Sequence, residues 1–213
     1  MKKILALFSV ILIFSCTSKH QNGLFTVNGE LKNAPDQKVF MEQIFFNQNP
    51  PQVLDSFEMK NGKFIVKAYA AEEGLYRIRF EKNAGYIFIN DKDNIDFSAD
   101  ANDSVLNTTK FNTPANASLT QLIMTLDSIH TDLMKEAQAR KDDQQQHNDT
   151  LAFIADNNFN ISNEWYNNFL IKYIDTAASP VNALFALSYT QDVEMDSIKN
   201  VLANLTKKFP KNS

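Results

Sequence analysis

Along residues 24–112 apolar and polar positions alternate, and the alternation is interrupted every few residues by turn-forming dipeptides. Phe25, Val27, Gly29 and Leu31 share one parity, and Thr26, Asn28, Glu30 and Lys32 the other. That period of two predicts a strand with one buried face. Asn33-Ala34-Pro35-Asp36 breaks the run, a second apolar stretch covers residues 39–46, and Asn47 to Pro51 ends it. Residues 53–60 and 63–69 flank Asn61-Gly62, the dipeptide best suited to a type I′ hairpin because both central residues need positive φ. On this reading Phe57 and Met59 on one arm share a buried face with Phe64, Val66 and Ala68 on the other. Tyr76, Ile78 and Phe80 then alternate with Arg77, Arg79 and Glu81, followed by short apolar runs at 86–89 and 95–97 and a last strand expected over 105–111. Seven or eight short strands at this spacing predict an antiparallel β-sandwich or open barrel.

After Thr113-Pro114 the period becomes helical. Thr113 suits an N-cap and Pro114 the first helical position. Leu119, Leu122, Ile123, Leu126, Ile129 (or His130), Leu133 and Ala137 form one stripe at three- and four-residue steps. The stretch 140–149 is wholly polar and is expected to fray. Further helices are expected over 150–157, after Ser162 (carrying Trp165, Tyr166, Phe169, Leu170 and Tyr173), from Ser179-Pro180, and over 192–208. The fold class read from the pattern is therefore α+β. An antiparallel β domain spans 24–112, and an all-helical C-terminal segment spans 113–213.

The first residues have another pattern. Lys2 and Lys3 precede an apolar run over 4–14, broken only by Ser9, and a polar stretch follows Ser15-Cys16. Such a run suits the h-region of a secretory signal over residues 1–15 and falls short of the ~20 residues a membrane-spanning helix needs. Leu12-Ile13-Phe14-Ser15-Cys16 resembles the lipobox of bacterial lipoproteins. The resemblance implies cleavage between Ser15 and Cys16, a diacylglycerol and further acyl chain on Cys16, and a short tether over 16–23. Several acyl chains anchor more firmly than one, at ~0.8 kcal/mol per buried methylene. Thr17 rather than aspartate follows the cysteine, which by analogy with lipoprotein sorting points to the outer membrane, periplasmic side. Cys16 is the one cysteine of the chain, so no internal disulfide is possible.

Composition narrows the function classes. Removing the leader takes two lysines and moves the formal charge from −4 to −6. An acidic balance argues against a nucleic-acid partner, which requires a basic surface. The 17 phenylalanines supply a large core. Neither a Cys-x-x-Cys, a nucleophile elbow, a phosphate loop nor a His-Glu-x-x-His motif occurs. His20 falls in the tether, His147 in the polar stretch, and His130 beside an apolar stripe, without a partner for metal or base chemistry. Asp91, Asp93, Asn94 and Asp96 are of the type that supplies oxygen ligands to calcium, but the run lacks the glycine and distal glutamate of an EF-hand and reads as an Asx-rich turn. Asp91 and Asp96 could serve as a hydrolase pair only across a cleft. Asp55-Ser56 and Glu72-Glu73 read as solvated positions. No cofactor and no catalytic set is expected.

Phe25-Thr26-Val27-Asn28-Gly29-Glu30-Leu31, Leu54-Asp55-Ser56, Asn61-Gly62-Lys63-Phe64 and Gly74-Leu75-Tyr76-Arg77-Ile78 together resemble an N-terminal domain of unknown function. That domain occurs on thioredoxin-like, AhpC/TSA-type lipoproteins of Gram-negative bacteria. The resemblance implies a β domain, then helices with a start like Ser179-Pro180-Val181-Asn182-Ala183, then a thioredoxin domain bearing Cys-x-x-Cys. This sequence stops at Ser213, where that last domain would begin. The expected function is a non-catalytic, lipid-anchored binding or scaffold module of the cell envelope, with an envelope protein or small ligand as partner. The alternative is the accessory region of a longer thiol-disulfide oxidoreductase.

Overall fold

The computed structural model describes residues 23–103, 108–145, 149–191 and 193–210. Ser15, Cys16, His20 and His147 lie outside the described residues. Eight strands precede four helices: β1 (Leu24–Lys32), β2 (Gln37–Ile44), β3 (Gln52–Met59), β4 (Lys63–Tyr69), β5 (Leu75–Phe80), β6 (Tyr86–Ile89), β7 (Asn94–Asp100), β8 (Lys110–Phe111), α1 (Pro114–Gln145), α2 (Asp149–Thr176), α3 (Pro180–Leu187) and α4 (Met195–Lys208). The strands form two four-stranded sheets, ordered β4-β1-β7-β8 and β3-β2-β5-β6. The expected α+β sandwich is thus observed. Its ladders are antiparallel apart from β1 with β7, which run parallel with Val27 beside Ile95 and Gly29 beside Phe97.

The Phe25, Val27, Gly29, Leu31 parity faces inward, as its alternation predicts. Gly29 is required by packing. A Cβ there would stand 1.9 Å from Cζ of Phe64, its cross-strand partner, so the ring lies directly over the glycine. Phe25, Tyr76, Phe88, Phe111, Phe97, Tyr86, Phe80 and Phe64 form a continuous chain of ring contacts with centroids 4.9–6.5 Å apart. Offset and edge-on pairs of this kind add roughly 0.5–1.5 kcal/mol each beyond area burial. Burial, with the Glu72 charge adding to it, pushes the Tyr76 phenol up to about 12.

Several expectations change. Asn61 and Gly62 do adopt positive φ, 50° and 74°. The arms they join nevertheless enter different sheets: β3 pairs with β2, β4 pairs with β1, and only Lys60 and Lys63 bridge directly. Phe57 is consequently 42% exposed, while Met59, Phe64, Val66 and Ala68 are buried. The last strand is only Lys110–Phe111, and residues 104–107 lie outside the described residues. The polar stretch after Arg140 stays helical to Gln145, because side-chain pairs such as Gln138 with Asp142 and Arg140 with Asp156 support it. The two helices expected over 150–157 and after 162 are one continuous helix, α2, since no Gly or Pro interrupts the run. The last helix starts at Met195.

Thr113 does not cap α1 with its own side chain. The Ala115 N–H donates to Asp91 Oδ2 at 2.9 Å, so a carboxylate from the β6–β7 turn caps the helix, and Thr113 Oγ1 accepts from Asn116 Nδ2. Asn116, 1% exposed, also reaches β6: Ile89 N–H donates to Asn116 Oδ1, and Asn116 Nδ2 donates to Ile89 O, both at 2.7 Å. β6 is the last strand of its sheet, and this one amide supplies the bonds a further strand would make. At α3 the expectation holds: Ser179 Oγ accepts from Asn182 N–H at 3.1 Å, with Pro180 opening the helix. Leu75 and Ile89 pack with Ala115, Leu119 and Val181 where the helices dock on the sandwich.

Candidate functional site

The exposed face of the second sheet carries the densest polar chemistry. On β2 the inward residues Val39 and Met41 fix the parity, so Lys38, Phe40 and Glu42 face outward. On β5, Tyr76, Ile78 and Phe80 are buried, and Arg77 and Arg79 face the same outer side. The antiparallel register sets Phe40 opposite Arg79 and Glu42 opposite Arg77.

Glu42 is 4% exposed although it lies on the outer face. Its Oε2 accepts from Arg77 Nε at 2.8 Å and Nη2 at 2.6 Å, and its Oε1 accepts from Arg79 Nε at 2.6 Å. Burial pushes the carboxyl up, but hydrogen bonds from Arg79 and Arg77, and then their charges, outweigh it and hold Glu42 below the ordinary carboxylate value. A depressed folded value contributes stability above the unfolded value of 4.5, and that contribution is lost as pH falls through the lower folded value.

The Arg79 guanidinium lies 4.0 Å from the Phe40 ring centroid, and Lys38 Nζ lies 5.4 Å from the same centroid. Glu58 stands across from Lys38 on β3. The strip therefore holds three cations and two carboxylates, with a net charge of +1 on an acidic chain. A guanidinium has five N–H donors. Arg79 commits Nε to Glu42, its Nη groups make no hydrogen bond among the described residues, and its side chain is 37% exposed. Its plane is fixed by the ring beneath and the carboxylate beside it. Such a fork is prepared for bidentate bonding to a carboxylate or phosphate oxygen pair.

The residues singled out from the sequence fall elsewhere. Asp91 caps α1. Asp96 points outward from β7, where its carboxylate accepts from Asn28 and Asn112. Asp93 offers its backbone carbonyl to Thr26, and Asn94 begins β7. The four are not drawn together, and among the described residues no group of three or more His, Cys, Asp or Glu could hold a metal ion. His130 is exposed beside buried Ile129, in a recess of about 310 Å³ with Asp127, Tyr166 and Tyr189. Of the two pairs read as solvated, Ser56 and Glu72 are exposed, whereas Asp55 and Glu73 are half-buried and make structural contacts. Asp55 Oδ2 accepts from Lys67 N–H and ties β3 to β4, and Glu73 accepts from Ser179 Oγ. Among the described residues no helix is long and apolar enough to cross a membrane.

Sequence reasoning passed over Glu42, Arg77 and Arg79. The available signal was an acid inside an otherwise apolar strand, together with an Arg-x-Arg step on the outward parity of another.

A second feature lies between the helices. α1 and α2 form a hairpin whose buried residues end at Ile129 on α1 and begin at Leu170 on α2. Beyond that base runs an open groove of about 670 Å³, with Thr125, Asp132 and Glu136 on one wall and Ser162 and Trp165 on the other.

Residues 25–120 match a family model described as Domain of unknown function (DUF4369). The match spans the sandwich and the first turns of α1. No curated protein and no solved structure matches the chain.

Proposed function

We propose that this chain is a non-catalytic binding module of the cell envelope, anchored through lipid on Cys16 at the periplasmic side of the outer membrane, which holds an anionic group on the Arg79 side of its second sheet. The observation that carries the binding reading is the Glu42 carboxylate shared by Arg77 and Arg79. It orients two guanidiniums on paired strands and leaves the Arg79 Nη groups without a hydrogen bond among the described residues, on a side chain 37% exposed. Anchoring is supported by the leader pattern, with Lys2 and Lys3, an apolar run, Ser15 and then Cys16.

The chain has three arginines, so their Nε–H resonances are individually readable. Titrating the protein with inorganic phosphate is expected to move the Arg79 signal saturably, with a Kd on the order of 1 mM for one exposed bidentate contact. Arg140, paired with Asp156 on the helices, serves as internal reference. Arg79→Lys keeps the charge and removes the planar fork, and is expected to weaken binding about tenfold. Equal, unsaturable shifts at Arg79 and Arg140 would refute the site. The anchor is tested separately by metabolic labelling with a clickable fatty acid, where label on wild type and none on Cys16→Ser is expected.

A second reading, an accessory region of a longer thioredoxin-like oxidoreductase, rests on the motif resemblance over Phe25–Leu31, Leu54–Ser56, Asn61–Phe64 and Gly74–Ile78. An in-frame Cys-x-x-Cys domain past codon 213 in the genomic DNA would support it.

A further inference from the structure

Glu42 binds two guanidiniums with a single negative charge, so the pair keeps one positive charge in excess. Lys38 has its own counter-charge, since Glu58 stands across from it on β3. Of the five N–H donors on each guanidinium, Glu42 takes two from Arg77 and one from Arg79. Neither side chain meets another acceptor among the described residues. Arg77 therefore keeps three unbonded donors and Arg79 four, on side chains 35% and 37% exposed.

Resting on the anion-binding reading of this face, we propose that Arg77 and Arg79 together hold a tetrahedral oxyanion, a phosphoryl or sulfuryl group, on the solvent side of Glu42. The two arginines sit on one face of β5, where residues two apart stand roughly 7 Å from each other. They bond to opposite oxygens of one carboxylate, Arg79 to Oε1 and Arg77 to Oε2, which draws their heads closer together. An anion whose oxygens lie roughly 2.8 Å from each head spans a gap of that order.

Both heads are held before any ligand arrives. The Arg77 stem runs over Gly85, where an added Cβ would stand 3.3 Å from Arg77 Cδ. The Phe40 ring lies 4.0 Å from the Arg79 guanidinium and covers one of its faces. The N–H bonds of a guanidinium lie in its plane, so an anion meets Arg79 edge-on, the direction that charge-assisted bonds favour.

The number of oxygens selects the class. A planar carboxylate has two, and a single guanidinium fork satisfies both, which leaves the Arg77 donors unspent. A phosphoryl or sulfuryl ester offers three acceptor oxygens aimed in different directions. One can bond to each arginine while the ester corner projects into water.

The test uses the full chain, with the arginine Nε–H resonances as reporters and Arg140 as reference. The probes are inorganic phosphate, methyl phosphate, methyl sulfate and acetate, at equal ionic strength. Phosphate and at least one ester are expected to move Arg77 and Arg79 with one common Kd, and acetate to bind at least tenfold more weakly. The tighter of the two esters names the source of the group. Arg77→Lys keeps the charge and is expected to narrow the preference for phosphate over acetate about tenfold. Were Arg77 only a support for Glu42 and Arg79, both anions would weaken by the same factor, and the joint site would be overturned. A circular dichroism melt checks that the variant folds, and the wild-type preference needs no variant. Signals moving at Arg79 alone, or acetate binding as tightly as phosphate, would also overturn the joint site and leave the anion-binding reading standing. Saturable shifts at neither arginine would remove both.

Discussion

Asn116 joins the two halves of the molecule, and its removal has a calculable cost. In Asn116→Ala the N–H and C=O of Ile89 lose their partners while Ile89 itself stays fully buried. Each unpaired buried backbone group costs about 1–3 kcal/mol, against the ~1 kcal/mol net value of a hydrogen bond that water can replace. The Thr113 hydroxyl loses a donor as well. The sum expected is about 3–4 kcal/mol, a large share of the ~5–15 kcal/mol that stabilises a domain. With a urea slope of about 2 kcal/mol per molar, the midpoint should fall by about 1.5–2 M. Circular dichroism in urea measures this directly. Asn112→Ala is the control. Its amide also bridges strands through Asp96, but in water, and its loss should cost under ~1 kcal/mol. Asn116→Asp should be harmful at neutral pH, because it keeps one acceptor, drops both donors and sets a carboxylate near Asp91. Acidification should relieve part of that penalty. If Asn116→Ala shifts the midpoint no more than Asn112→Ala, the view that one amide closes the β6 edge is wrong.

Gly29→Ala should destabilise by about 1–3 kcal/mol through overpacking against the Phe64 ring, and the same change in a Phe64→Leu background should cost less; thermal melts of the four variants give the coupling. Tyr76, Tyr86 and Tyr173 are all pushed above the ordinary phenol value by burial, so stability should be intact below pH 10 and fall as pH rises through their folded values. Absorbance at 295 nm recorded alongside circular dichroism should show these phenols ionising together with loss of structure.

The strands were legible because burial on one face imposes a period of two, and Phe25 to Leu31 states it without interruption. Pairing direction was not, since the alternation of β1 is the same whether β7 runs with it or against it. Phe57 misled because its parity is that of Met59, whereas its exposure depends on β3 and β4 parting into different sheets. Helix ends marked by Ser179-Pro180 were readable from local chemistry. The cap on α1 was not, because it comes from Asp91, more than twenty residues earlier. The Glu42 cluster is of the same kind: each residue looks like a solvated strand position, and only the register of β2 with β5 brings the carboxylate between two guanidiniums.

The parallel union of β1 with β7 governs when this molecule can take shape. The first strand to be made is an inner strand, and the partner on one of its sides arrives about seventy residues later. Closing so long a loop must precede any gain from that ladder, which places the sandwich among slow, non-local folders. Until β7 is available, one edge of β1 and the inward ring of Phe25 stay uncovered. That uncovered edge and ring are open to aggregation for as long as the ladder is unmade, the general hazard of slow, non-local folding.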